Sequence, residues 1–169
     1  MALSIKAAER ICSERLWQFS LACYPKVKDL CLRWQDNYHA NVNIILALCY
    51  AECLGWQVNT ATLNNAIAQL APVNRQLTQV VRGCRRQLAQ LALEQALQEQ
   101  LKQSLLSTEL LAEQVEQTLL ARDLTFIQVK APDNLSLYLK QLCIPVSAAI
   151  TDDLIDLRQA SACLPVKAP

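Results

Sequence analysis

Two glycines, Gly55 and Gly83, are all that the 169 residues contain. Tight turns with positive φ are where glycine serves best, so the chain lacks the turn chemistry that most all-β folds need. Gly-rich phosphate loops and the dinucleotide fingerprint are excluded on the same ground. What fills the chain instead is 30 leucines and 17 glutamines, both good helix formers. Charged residues make up 18%, below the usual quarter or so. The fold expected is all-α: a compact helical bundle around a buried third helix, with a C-terminal helical extension. A core domain is expected over 10–106 and appended helices, packed on that core, over 107–164.

The apolar periodicity predicts where the helices lie. Leu16, Trp17, Ser20 and Tyr24, with Phe19 and Cys23, stripe a first helix over 13–24. Pro25 is expected to stop it and open a second helix over 26–38, with Val27, Leu30, Cys31 and Trp34 on one face. Asn41 is the expected N-cap of a third helix over 42–54. That helix is apolar all round from Ile44 to Ala51, which marks a buried element, and Gly55 is its expected stop. Thr60 should cap a fourth helix over 61–70, ended by Pro72. A long helix over 74–106 follows, in which Leu77, Val81, Cys84, Leu88 and Leu91 are spaced as in a heptad and then Leu93, Leu97, Leu101 and Leu105 run four apart. Too few positions keep the heptad for a coiled coil, so packing against the domain is expected.

Ser107 and Thr108 are expected to cap a separate helix over 109–122. The run 125–129 reads as an extended loop. Asp133 or Asn134 should cap a helix to Cys143, and Thr151 a last one to Ala160, before a frayed tail over 165–169. Seven of the nine aromatic residues precede residue 57, which places the core in the N-terminal helices.

Eight cysteines occur, most of them at apolar helical positions, where a thiol acts as a small hydrophobe. Residues 1–10 include Lys6, Glu9 and Arg10 and no apolar leader core. Eight free thiols in a reducing cytoplasm are therefore expected, with no disulfide. The longest apolar run, from Ile44 to Ala51, is far short of a membrane span.

Taken together, Leu16-Trp17-x-Phe19, Tyr24, Cys31-Leu32-x-x-Gln35-Asp36 and Asn41-Val42-Asn43-Ile44-Ile45-Leu46 resemble one family pattern, with Arg82-x-x-Arg85-Arg86-x-Leu88 downstream. The resemblance is to the uncharacterised proteobacterial family called domain of unknown function 2390 and covers roughly residues 10–95. It implies a bacterial, cytosolic, helical protein. It brings no activity, cofactor or catalytic residue.

Three constellations can be weighed for chemistry. The polar turn of Arg33, Gln35, Asp36, His39, Asn41 and Asn43 pairs one histidine with one aspartate, which suits a general base; capping and turn formation explain the same residues without chemistry. Cys49 and Cys53 share a helical face, with His39 as a third possible ligand, but zinc sites use closely spaced pairs and four ligands. No metal, no cofactor and no catalytic residue is expected. The arginines are more distinctive. Residues 1–86 carry a net charge of +5 and residues 87–169 a net charge of −4, and no acidic residue lies between Cys53 and Leu93. Arg75, Arg82, Arg85 and Arg86 fall on one helical face in that window. They are either a solvated face, or paired with Glu52, Asp36 and the acidic C-terminal half, or a surface for an acidic partner.

The expected function is a non-enzymatic interaction, adaptor or regulatory protein that binds an acidic protein surface through these arginines. Nucleic acid is disfavoured, because the interleaved aromatics and a recognisable binding motif are missing. The alternative is a small-molecule-binding or enzymatic domain with a pocket formed by Trp17, Trp34, Asp36, His39 and Tyr50. Glu52, alone in the apolar helix, must be paired or reach water; Arg82, Arg85, Arg86 or, failing those, Arg33 are its expected partners.

Overall fold

The computed structural model describes residues 8–164. The expected absence of a leader in residues 1–7 and the frayed tail over 165–169 lie outside them. Helix α1 (Ser13–Tyr38) is followed by α2 (Val42–Cys53), a short strand β1 (Trp56–Val58) and α3 (Thr60–Val73). A π-helical turn over residues 74–78 leads into α4 (Gln79–Leu88), and then come α5 (Gln95–Asp123), β2 (Phe126–Gln128), α6 (Asn134–Gln141) and α7 (Ala148–Ala162). The fold is all-α apart from the two-stranded antiparallel sheet.

The apolar helix is the centre. Nine consecutive residues of α2, from Asn43 to Ala51, are buried, which only contact on all sides can bring about. Asn41 caps it, its side chain accepting from the Ile44 amide at 3.1 Å. Gly55 ends it with φ 72°, a conformation that favours glycine. Around α2 pack Leu16, Phe19 and Trp34 of α1, Leu120 of α5, Tyr138 of α6 and Leu157 of α7, and Leu63 and Leu70 of α3 join the same buried cluster. Residues from both segments, 10–106 and 107–164, enter this one buried cluster.

Several boundaries differ from expectation, each for a physical reason. Pro25 does not break the chain: α1 runs through it, so the buried helix is the second, not the third. Proline removes one backbone bond, which the burial of Cys23, Val27, Cys31 and Trp34 on the same helix outweighs. Pro72 is likewise absorbed inside α3. Asn59 rather than Thr60 caps that helix, accepting from the amides of Ala61 and Thr62 at 2.9 and 3.1 Å. The long helix expected over 74–106 breaks instead at residues 89–94, and Ser107 and Thr108 lie inside α5. The Thr108 hydroxyl donates to its own helix, at the Ser104 carbonyl, 2.9 Å away. Ser147, not Thr151, caps α7, at 3.2 Å from the Ile150 amide.

The expected loop over 125–129 is partly a strand. Trp56 pairs with Gln128 and Val58 with Phe126, and Glu9 bonds the free edge of Phe126 through both backbone groups, at 2.8 and 3.0 Å. On the other edge the Asn134 side chain takes the place of a strand, donating to the Trp56 carbonyl at 2.7 Å and accepting from the Val58 amide at 2.8 Å. This closes the backbone polar groups that so short a sheet would otherwise leave buried and unpaired.

Candidate functional site

The four arginines of the stripe meet different fates. Arg82 is buried and spends its guanidinium inside the protein, donating to Glu109 at 2.7 Å, Glu113 at 2.7 Å and Gln35 at 2.9 Å. Arg85 donates to the other oxygen of Glu109 at 2.6 Å. Burial alone would push the Glu109 carboxyl up, but the hydrogen bonds and charges of Arg85 and Arg82 outweigh it and hold the group below its ordinary value. Burial dominates for Glu113, whose carboxyl is held above its ordinary value despite Arg82. Arg75 and Arg86 are exposed and have no ion-pair partner among the described residues. Of the alternatives weighed for the stripe, pairing with the acidic C-terminal half accounts for Arg82 and Arg85 alone.

Glu52 is paired, but not by the expected arginines. Arg158 of α7 holds it, and the Leu135 amide of α6 donates to it at 2.9 Å. Arg82 and Arg85 are taken up by Glu109 and Glu113 of α5, and Arg33 is engaged by Asp153. Asp153 also accepts from the Trp34 indole at 2.7 Å.

Beneath the arginines lies a polar core that the sequence reading missed. Glu116 is fully buried. Its Oε2 accepts from the amides of Asn41 at 2.9 Å and Asn43 at 3.0 Å, and its Oε1 from Asn74 at 2.8 Å and the Thr78 hydroxyl at 2.5 Å. Next to it, the Gln117 amide donates to Ser20 at 2.8 Å and Asn43 at 3.0 Å. A signal for these residues was present: Glu109, Glu113 and Glu116 follow the i, i+4, i+7 spacing of one helical face, and Asn43 stands in an otherwise apolar helix.

Two clefts flank this core. One, of about 450 Å³, is lined by Gln35, Asp36, His39, Ala40, Asn41, Asn74, Arg75, Gln79 and Arg86. Asn41 and Asn74, which also hold Glu116, are among the residues that line it. His39 closes α1 in the left-handed region, φ 57°, an unusual conformation for a non-glycine residue and one that clusters at functional positions. The second cleft, of about 190 Å³, is walled by Trp17, Leu21, Tyr24 and Leu46, with Arg82, Glu113 and Gln117 among its polar members.

The five pocket residues expected from the sequence are thus divided. Asp36 and His39 line the first cleft and Trp17 the second. Trp34 is fully buried, and Tyr50 is buried against Phe19, with ring centroids 5.1 Å apart. Their bulk is needed in the core, and neither cleft joins the five. Cys49 is buried in the middle of α2 and Cys53 ends it, whereas His39 precedes its start. Among the described residues no group of three His, Cys, Asp or Glu is placed to hold a metal ion. All eight cysteines are free thiols, and burial pushes Cys23 up to about 11 and Cys31 to about 12. Among the described residues no helix is long and apolar enough to cross a membrane.

No curated protein and no solved structure matches the chain. A family match does exist, and it spans α1 to most of α5, so it contains the arginines, the buried Glu116 and every residue of both clefts. The motifs of α1, α2 and α4 and the helical fold they build agree with it: over residues 15–120 the chain belongs to the family described as protein of unknown function (DUF2390).

Proposed function

We propose that the protein is a non-enzymatic adaptor or regulatory module that receives an acidic segment of a partner protein in the 450 Å³ cleft. Arg75 and Arg86 are its charge contacts. The observation that carries this reading is the division of the arginines. Two are neutralised inside the protein by Glu109 and Glu113, and two are left without an ion-pair partner among the described residues at the rim of one cleft. Arginine forks suit carboxylates, and Gln35, Gln79, Asn74 and His39 add neutral hydrogen-bonding groups around them. Asp36 is the one acidic lining residue, so the cleft keeps a net positive charge and favours one acidic side chain over a dense acidic run. Eight free thiols support a reducing compartment, the bacterial cytoplasm in this reading.

Fluorescence anisotropy of a labelled peptide with one glutamate in a neutral sequence tests it. Binding should weaken with salt and be lost in Arg75→Glu/Arg86→Glu, with the melting temperature unchanged. Salt-insensitive binding, or equal binding by the double variant, would sink the reading.

A second reading rests on one observation in the smaller cleft. Gln117 lines it, and its Oε1 is a buried acceptor with no hydrogen-bond partner among the described residues. With Trp17, Tyr24 and Leu46 as walls, a small apolar molecule carrying one hydroxyl or amino donor fits that chemistry. Thermal stabilisation by such compounds, abolished in Leu46→Trp, would favour this reading over the first.

A further inference from the structure

Helix α5 is packed along its C-terminal half only. Residues 95–108 are exposed except for Gln98 and Leu105, which are half-buried. The arm rests on the end of α4, where the Gln98 amide donates to the Leu88 carbonyl at 3.0 Å. Its charged residues satisfy each other, Lys102 lying 3.4 Å from Glu99 and Gln103 donating to Glu99 at 2.7 Å.

Away from these charges runs a continuous exposed stripe: Leu97, Leu101, Ser104, Thr108, Leu111 and Val115. Its spacing alternates four and three residues, which holds one face of a helix in line with a neighbouring helix. Leu97, Leu101, Leu111 and Val115 are each about half exposed or more, at 53, 48, 63 and 47%. The flanking exposed residues Gln100, Ser107, Gln114 and Thr118 are uncharged as well. The hydroxyls of Thr108 and Thr118 donate to carbonyls of their own helix, so neither requires an outside partner.

The order of the stripe identifies what covers it. It is symmetric about the level of Leu106: Leu97 lies as far before that level as Val115 lies after it, Leu101 as Leu111, and Ser104 as Thr108. An antiparallel second α5 therefore sets aliphatic residues against aliphatic ones at both ends and small residues against each other in the middle. Such self-complementarity is what a two-fold interface requires, and the central Ser and Thr let the two backbones approach closely. No like charges meet along this face, which an acidic or basic partner would leave uncompensated.

We infer that the exposed face of α5 is the interface of a homodimer, with a second copy of this chain docked antiparallel and Leu101 of each copy facing Leu111 of the other. The strip is about 27 Å long and, at the usual width of a helix contact, buries about 500–600 Å² in total. That is below the roughly 1,200 Å² of a stable interface, so the dimer is a weak and reversible one. The inference is independent of the cleft and of what it binds.

Sedimentation equilibrium of the full chain tests it, under reducing conditions so that the exposed Cys12, Cys84, Cys143 and Cys163 do not link copies. The weight-average mass should rise from monomer towards dimer with concentration. Leu101→Lys and Leu111→Glu should each weaken association about tenfold or more, because each sets a charge against an apolar residue. Both substitutions in one chain should restore it to within about threefold, because each lysine then faces a glutamate. Ser104→Glu, at an exposed position, is the second disrupting variant, and melting temperatures report folding. A wild type that stays monomeric up to about 300 µM overturns the proposal. So do single variants that associate like wild type, and so does a double variant no better than the singles, which signals parallel pairing.

Discussion

The Glu52 carboxylate grips the Arg158 guanidinium with both oxygens, Oε2 to Nε at 2.8 Å and Oε1 to Nη2 at 3.2 Å, while also accepting from the Leu135 amide. One side chain of α2 thereby fixes the start of α6 and the middle of α7. The amide it takes is one of the donors that the first turn of a helix cannot satisfy internally, and a carboxylate there also suits the helix dipole.

Glu52→Ala should therefore cost about 2–3 kcal/mol, since it strands both the Leu135 amide and a half-buried guanidinium. Arg158→Ala should cost a similar amount, about 2–3 kcal/mol, because it leaves the Glu52 carboxylate, whose side chain is only 9% exposed, without its counter-charge. Urea unfolding of the two single variants and the double variant measures the coupling. Additive losses would mean that the pair contributes nothing as a pair.

Arg82 and Arg86 are close on α4 yet should respond oppositely to charge reversal. Arg86→Glu alters an exposed side chain and should change stability by less than about 0.5 kcal/mol. Arg82→Glu places a third carboxylate against Glu109 and Glu113 in a buried site and should cost about 3–5 kcal/mol. The denaturation midpoints of the two variants decide it; equal midpoints would mean that Arg82 is solvated.

Glu113 and Glu109 should titrate on opposite sides of the ordinary glutamate value of 4.5. Burial holds the Glu113 carboxyl above it; the Arg85 and Arg82 hydrogen bonds, outweighing burial, hold Glu109 below it. The folded chain thus binds the Glu113 proton more tightly than the unfolded chain. The stability from that group is present at low pH and is lost as pH rises through the window above 4.5. Glu109 has the opposite sign: its contribution is complete above 4.5 and is lost as pH falls below it. Carboxyl-carbon NMR during an acid titration should show Glu113 taking up its proton first, and Glu113→Gln should remove the upper step alone. Protonation in the reverse order would contradict this arrangement of the cluster.

Glu116 accepts from four donors, three side-chain amides and the Thr78 hydroxyl, and of these the hydroxyl alone can turn to accept from an amide. Glu116→Gln keeps the shape but turns an NH₂ group towards at least one amide donor, leaving it unsatisfied at a cost of about 1–3 kcal/mol. Thr78→Val removes only one donor and should cost about 1 kcal/mol. Thermal unfolding distinguishes the two; a Gln variant as stable as wild type would show that the oxygens are not both needed.

Much of the fold follows from local pattern. The scarcity of glycine and the leucine periodicity exclude a large sheet. The unbroken apolar run from Ile44 to Ala51 identifies the buried helix, with Asn41 and Gly55 marking its two ends. These are short-range effects, set by side-chain spacing and by one residue's capping or φ preference. Where local preference and burial compete, sequence reading went astray. Pro25 and Pro72 are breakers by propensity, but their helices carry enough buried surface to run on. Ser107 and Thr108 look like caps, yet the inward-facing Glu109, Ala112, Glu116 and Leu120 hold one continuous α5.

The site depends still more on tertiary structure. The four arginines share a face in the sequence and are chemically alike there. Only the position of α5 decides that Arg82 and Arg85 meet Glu109 and Glu113 while Arg75 and Arg86 remain at a cleft. Glu52 called for a partner by being a lone charge in an apolar helix, and α7, more than a hundred residues away, supplied Arg158. Helix character is written residue by residue along the chain. Which charge meets which is fixed by contacts between distant segments, and those exist only once the helices have packed.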